Sequence, residues 1–357
     1  MSPMFVPGPV DVNTEVLAAQ AQPMLPHRSH EFETLYQRVC YKAQPLFGTQ
    51  SQVFIIASSG TGLQEAAVRN LAHKNVLCLV NGAFSKRWFD VAKSNGKQAD
   101  ALDVEWGKAV DPVLAADALE VKEYELVTIV HNETSTGVQN PVQEIAAVVC
   151  EVSPGTLIAV DAVSSLGGVK LEMDKWGVDM VLTSSQKCLA LPPGLALAAL
   201  SDQALDYARR VPERGWYFDL VRMAEHSNKD STPATPALSL IYALDVQLDR
   251  IMEEGLENRF ARHSQMAALV HEWAYTNDLE VFAEEGYRSQ TVTAVSNTLG
   301  LDVGDLNSYL IKKQMRIADG YGQLKGKTFR VAHMGDTQVA NINTLLQVVT
   351  AFIARHQ

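Results

Sequence analysis

The stretch Met180–Gly194, MVLTSSQKCLALPPG, decides how the rest of the chain is read. Met180, Val181 and Leu182 form a short apolar run of buried-strand character. Polar Thr183, Ser184, Ser185 and Gln186 follow, then a single lysine, Lys187, then apolar residues and a Pro192-Pro193-Gly194 turn. Desolvation at such a place lowers a lysine's pKa, which is what an amine nucleophile needs. A lysine after one strand is ordinarily solvated, so the neighbouring pattern matters. Residues 157–166, LIAVDAVSSL, form a second buried strand that ends in a carboxylate, Asp161. An acid and a lysine at the C-terminal ends of two strands form a pair with chemical use.

Other segments repeat the pattern. VFIIA at 53–57 is a buried strand followed by Ser58-Ser59-Gly60-Thr61-Gly62 and a helical LQEAAVRNLA. Strand, glycine turn and helix point free N–H groups at an anion, and the Thr61 hydroxyl adds a donor. The run is not a G-x-G-x-x-G fingerprint, because Glu65 stands at the third glycine position. VLCLV at 76–80 precedes Asn81-Gly82-Ala83-Phe84, and LVTIV at 126–130 precedes His131-Asn132-Glu133-Thr134-Ser135-Thr136-Gly137. The H-x-E spacing lacks the further ligands of a metal site, so no metal is expected, and His131 and Glu133 receive no chemical role. Alternating strands and helices predict a mostly parallel sheet with covering helices, and ligands of such sheets sit beyond the C-terminal strand ends.

Four motifs in order, PGP at 7–9, HNETSTGV at 131–138, DAVSSLGG at 161–168 and SSQKCLALPPG at 184–194, resemble the class V, fold-type I aminotransferases. The similarity runs from about Pro7 to the C-terminus and is greatest to the alanine–glyoxylate and serine–pyruvate group, which includes serine–glyoxylate aminotransferases. The resemblance implies an α/β fold with a smaller C-terminal α+β domain, pyridoxal 5′-phosphate (PLP) as cofactor, and a homodimer with active sites at the interface. Lys187 would form the Schiff base and Asp161 would pair with the pyridinium nitrogen. Gly60, Thr61, Gly62 and Gln186 would hold the phosphate, with Thr232, or else Thr235, reaching it from the partner subunit. Phe84, where many relatives carry Trp, would stack on the ring, with Val163 on the other face and Thr134 near the phenolic oxygen. Arg330, in FRVAHMG, would bind the substrate α-carboxylate, with the Gly8 backbone nearby. The implied reaction is ping-pong transfer of an amino group from serine or alanine to glyoxylate or pyruvate.

Three units are expected: an extended arm over 1–17, a large domain over 18–252 and a small domain over 253–357. A weak strand and turn are expected at 169–178. The 357 residues, 47% apolar, support a sizeable core, and a net charge of −11 argues against nucleic acid and anionic membrane as partners. No signal-peptide pattern or membrane-length apolar run is read, and Cys40, Cys78, Cys150 and Cys188 read as reduced core residues of a cytoplasmic protein. A phosphoserine or 2-aminoethylphosphonate aminotransferase, a PLP lyase or a non-catalytic subunit of this fold are the alternatives. The absence of any cysteine after Cys188 weighs against a desulfurase, and the broken glycine fingerprint against a dehydrogenase.

Overall fold

The apolar runs read as buried strands pair in one seven-stranded sheet. Its order is Val53–Ala57, Leu195–Leu200, Met180–Ser184, Leu157–Asp161, Leu126–Val130, Asn75–Val80 and Gln98–Asp103. The strands run parallel except Leu195–Leu200, which is antiparallel to both neighbours. That reversal follows from the Pro192-Pro193-Gly194 turn, which returns the chain beside Met180–Ser184 without a crossover helix. The computed structural model describes residues 4–355, so residues 1–3 of the expected arm lie outside the described residues.

Successive side chains of a strand face opposite sides, and both sides of this sheet are dry. Val127, Ile129, Ile158, Val160 and Val181 pack under helices His30–Phe47, Val142–Val152 and Leu238–Glu254. Leu126, Val130, Leu157, Ala159, Met180 and Leu182 pack under helices Gly60–Leu71, Ala83–Ser94 and Leu220–Ser227. This double coverage explains why the strands read as unbroken apolar runs.

A second sheet of five strands, in the order Met4–Phe5, Arg316–Asp319, Thr328–Ala332, Val292–Ser296 and Glu280–Val281, packs against helices Leu256–Thr276, Val303–Ile311 and Val339–Ile353. Met4–Phe5 joins it parallel to Arg316–Asp319, and Phe5 is buried in its core. The N-terminal segment is therefore not simply extended, and a helix, Thr14–Ala19, already begins within it, capped by Asn13.

Residues 169–178 hold a single helical turn, Met173–Trp176, instead of a strand. Gly177, at φ 67°, closes it in a left-handed conformation suited to glycine. All four cysteines are free, but only Cys78 and Cys188 are fully buried. Cys150 is exposed on its helix, which corrects its reading as a core residue. Among the described residues no helix is long and apolar enough to cross a membrane.

Candidate active site

The C-terminal ends of the large sheet's strands converge on a cavity of about 280 Å³, with Asp161 and Lys187 among its lining. Both side chains are almost fully buried. The Asp161 carboxylate accepts the Val163 N–H at 2.8 Å and the Gln64 amide at 2.7 Å. Burial still raises its pKa to about 6. The Lys187 amine donates to Ser164 Oγ at 2.9 Å and approaches Thr134 Oγ1 at 3.4 Å, while those two hydroxyls share a 2.5 Å hydrogen bond. Burial lowers the lysine to about 8, although Asp161 nearby favours its charged form. In both groups desolvation outweighs the mutual attraction.

The N-terminal segment covers the lysine. A Cβ on Gly8 would stand 3.2 Å from the Gln186 carbonyl oxygen and 3.2 Å from Lys187 Cγ, and its φ of +94° suits glycine. Val10 N–H donates to the same carbonyl at 3.1 Å. Gly8 therefore lies against the stem of Lys187.

At the other end of the cavity, helix Gly60–Leu71 presents its first turn. Its N-cap, Ser59, makes no side-chain cap bond, and the N–H groups of Gly60 and Thr61 lie where a helix offers no internal acceptor. A Cβ on Gly60 would meet Val163 Cγ2 at 2.5 Å. Beside it the Ser184 hydroxyl is buried with no partner among the described residues. Thr61, Gln186 and Val163 also line the cavity, whereas Gly62 does not. The Gly62 N–H donates to Ser59 O at 3.0 Å, and a Cβ there would strike Ser58 Oγ and the Phe218 ring. Gly62 serves helix packing in this structure. Thr232 is not in the lining of its own chain's cavity either. Its hydroxyl donates to Ala234 O at 2.8 Å, and Thr232 and Thr235 border a separate groove with Trp216 and Tyr217.

Phe84 and Arg87 add an aromatic ring and a cation to the lining, and Tyr321 and Arg330, themselves outside it, contact Phe84 and Thr134. Phe84 lies in the first turn of helix Ala83–Ser94, with the Lys187 amine 5.3 Å from its ring centre. Tyr321, from the loop before Thr328–Ala332, stacks on Phe84 at 5.3 Å and 23°. Arg330 is buried, donates from Nε to Asp319 O at 3.0 Å and from Nη1 to Thr134 O at 3.3 Å, and sits 5.5 Å from the Tyr321 ring centre. No carboxylate of the described residues makes an ion pair with it, so the structural salt bridge that would ordinarily explain such an arginine is missing.

The sequence profile of the aminotransferase class-V family matches residues 12–324. An uncharacterized aminotransferase of Methanocaldococcus jannaschii is 38% identical over 93% of this chain and 87% of its own length. The L-aspartate–glyoxylate aminotransferase of Paracoccus denitrificans is 34% identical over 94% and 86%. Among solved structures, an alanine–glyoxylate aminotransferase from Nostoc superposes with a TM-score of 0.91, covering 97% of this chain and 94% of its own, at 28% identity. The chain belongs to the class V aminotransferases. It is therefore a PLP-dependent transaminase, as the motifs had implied.

The aminotransferase's cavity suits that cofactor chemically. A buried acid fits one end of the pyridine ring, while free helix N–H groups and an unpartnered hydroxyl fit a phosphate at the other. Several residues here escaped sequence reasoning. Glu133 is fully buried, and its carboxylate accepts from the backbone N–H groups of Phe84, Ser85 and Ser135 and from the Ser85 and Ser135 hydroxyls. It caps the helix that carries Phe84, a placement favoured by the helix dipole. A Cβ on Gly82 would strike the Glu133 side chain at 2.3 Å, which explains that glycine. His131 stays neutral, its pKa lowered to about 4 by burial, with Trp176 against its ring edge. Arg28 donates to Ser231 Oγ and to Thr232 O, fixing the turn that bears Thr232. Gln64, Arg87 and Tyr321 carried no motif signal of their own, and Ser164 stood within DAVSSLGG without an assigned role.

Proposed function

We propose that this aminotransferase moves the amino group of a small amino acid, serine or alanine in the reading the motifs support, to a small 2-oxo acid, glyoxylate or pyruvate. The observation that carries this reading is Lys187 buried beside Asp161 in one cavity, with its amine tuned to about 8. Lys187 would hold PLP through its ε-amine, Asp161 would pair with the ring nitrogen, and Phe84, Val163 and Thr134 would contact the ring. The first-turn N–H groups of Gly60 and Thr61, with Ser184 and Gln186, would hold the phosphate. When bound, the cofactor supplies an electron sink for negative charge at the substrate Cα.

The chain's own groups do the rest. Arg330 takes the substrate α-carboxylate with the N–H groups not spent on Asp319 and Thr134. Asp161 keeps a proton on the ring nitrogen. Once its amine is free, Lys187 takes the Cα proton as general base, and a pKa near working pH suits that exchange. Gly8 packs on the lysine stem and limits its movement. The donor leaves as a 2-oxo acid before the acceptor enters, so the two half-reactions form a ping-pong cycle.

The same reading includes a cytoplasmic homodimer in which Thr232 reaches the partner's phosphate, and a chain divided into an arm, a large and a small domain. Four free cysteines support a reducing compartment, and separate hydrophobic clusters under the two sheets support the division. Initial rates measured with varied donor and glyoxylate test the function. Parallel double-reciprocal lines, with glycine and the donor's oxo acid formed in equal amounts, are expected. Intersecting lines, or loss of the amine as ammonia, would overturn it.

A further inference from the structure

Arg87 is the cation in this cavity that the proposed chemistry does not use. It lines the same space as Lys187 and Asp161. Its guanidinium lies over the Phe84 ring, 4.8 Å from the centre, and Nη2 donates to the Tyr321 hydroxyl at 3.0 Å. Among the described residues no carboxylate forms an ion pair with it. The Tyr321 ring in turn lies beneath the guanidinium of Arg330. One tyrosine thus links an arginine of the cavity lining to a second arginine that touches the lining residue Thr134, and neither has an ion-pair partner among the described residues.

A guanidinium over an aromatic ring keeps its N–H donors in its own plane, where they remain open to other acceptors. With one of five donors used on Tyr321, the others remain for a planar anion, and a carboxylate matches that fork. Arg330 already serves an α-carboxylate in the proposed function. A second unpaired guanidinium beside it suits a substrate with a second carboxylate. A donor with a methyl or hydroxymethyl side chain would leave Arg87 unpaired.

We infer that Arg87, positioned by Tyr321, is a side-chain subsite that selects a dicarboxylic amino donor, with aspartate as the smallest. This rests on the transaminase reading above and replaces its serine or alanine donor with a dicarboxylic one. The Tyr321 hydroxyl accepts from Arg87 and fixes the fork's orientation; the tyrosine is a positioning residue, not a catalytic one.

The test uses the PLP-loaded enzyme. Single-turnover absorbance with aspartate, alanine and serine gives kcat/KM for each donor, and calorimetry compares succinate with propionate as unreactive ligands. Aspartate is expected to be the best donor, and succinate to bind more tightly than propionate. Arg87→Gln should lower the aspartate-to-alanine ratio of kcat/KM by roughly 100-fold, and Arg87→Lys should restore part of it. Tyr321→Phe keeps the ring but loses the hydroxyl, and should raise KM for aspartate more than it lowers kcat. Equal binding of succinate and propionate, or a ratio unmoved in Arg87→Gln, would overturn the inference while leaving transamination intact. Loaded enzyme that reacts with no donor would overturn the transaminase reading itself, and the inference with it.

Discussion

The floor and the wall of this cavity are built in different ways. Asp161 ends one strand and pairs in fixed register with Leu182 of the adjacent parallel strand, and Lys187 lies three residues beyond that strand's end at Ser184. The wall joins the lining residues Phe84 and Arg87 to Tyr321 and Arg330 outside the lining, and its Arg87–Tyr321 contact spans 234 positions of sequence. The floor is held by backbone ladders and two dry sheet faces. The wall is held by a few side-chain contacts between elements of the two sheets. In the proposed function the reactive groups thus sit on the rigid part, and the groups that would choose the substrate sit on the adjustable part. Substitutions in the floor should change whether the enzyme works, and those in the wall should change what it works on.

The largest effect should come from Lys187→Ala. In the proposed function it removes both the covalent attachment and the base, and turnover should fall by about 10⁴-fold or more, with loss of the bound-cofactor absorption. Substantial retained activity would break the contrast from the floor side. Arg330→Lys keeps the charge but loses the planar fork, and should raise donor KM by roughly 10- to 100-fold with a smaller change in kcat. An equal fall in kcat would place Arg330 with the floor.

Glu133→Gln is expected to have a smaller effect, expressed as stability. It replaces one acceptor oxygen with a donor that faces N–H groups, at a cost of about 1–3 kcal/mol read from urea unfolding. PLP should also dissociate faster, because the capped helix carries Phe84. The pH dependence sharpens the picture of the floor. Asp161 is raised, so its contribution to stability is full at low pH and is lost as pH climbs to about 6. Lys187 is lowered, so its contribution is full at high pH and is lost as pH falls to about 8. The cofactor-free enzyme therefore carries both penalties between pH 6 and 8, and PLP should raise its melting temperature most within that window.

The floor was legible in the sequence because each of its residues ends an apolar strand or follows one within a few positions, and parallel topology brings those strand ends together. Asp161, Lys187, Gly60 and Thr61 could be named from that pattern and the motif order. Gly62 stands in the same glycine run, but nothing in the run distinguishes the glycine facing the cavity from the one facing Phe218. Glu133 could not be read as a helix cap, because the helix it caps lies 48 positions away at Ser85. Tyr321 and Arg87 look like ordinary surface residues until the second sheet meets the first. A weak strand was expected beside the turn at 169–178, and the helical character of Met173–Trp176 went unread for a local reason: four residues are too few for helical periodicity to register.

The most direct measurement is an absorbance titration of the cofactor-free protein with PLP, repeated across pH, followed by addition of an amino donor. The account predicts a visible band that forms faster as pH rises through about 8, as the Lys187 amine loses its proton. That band should bleach with the donor and return with glyoxylate, and it should never form in Lys187→Ala. A band of equal intensity in Lys187→Ala, or one that no donor bleaches, would contradict it.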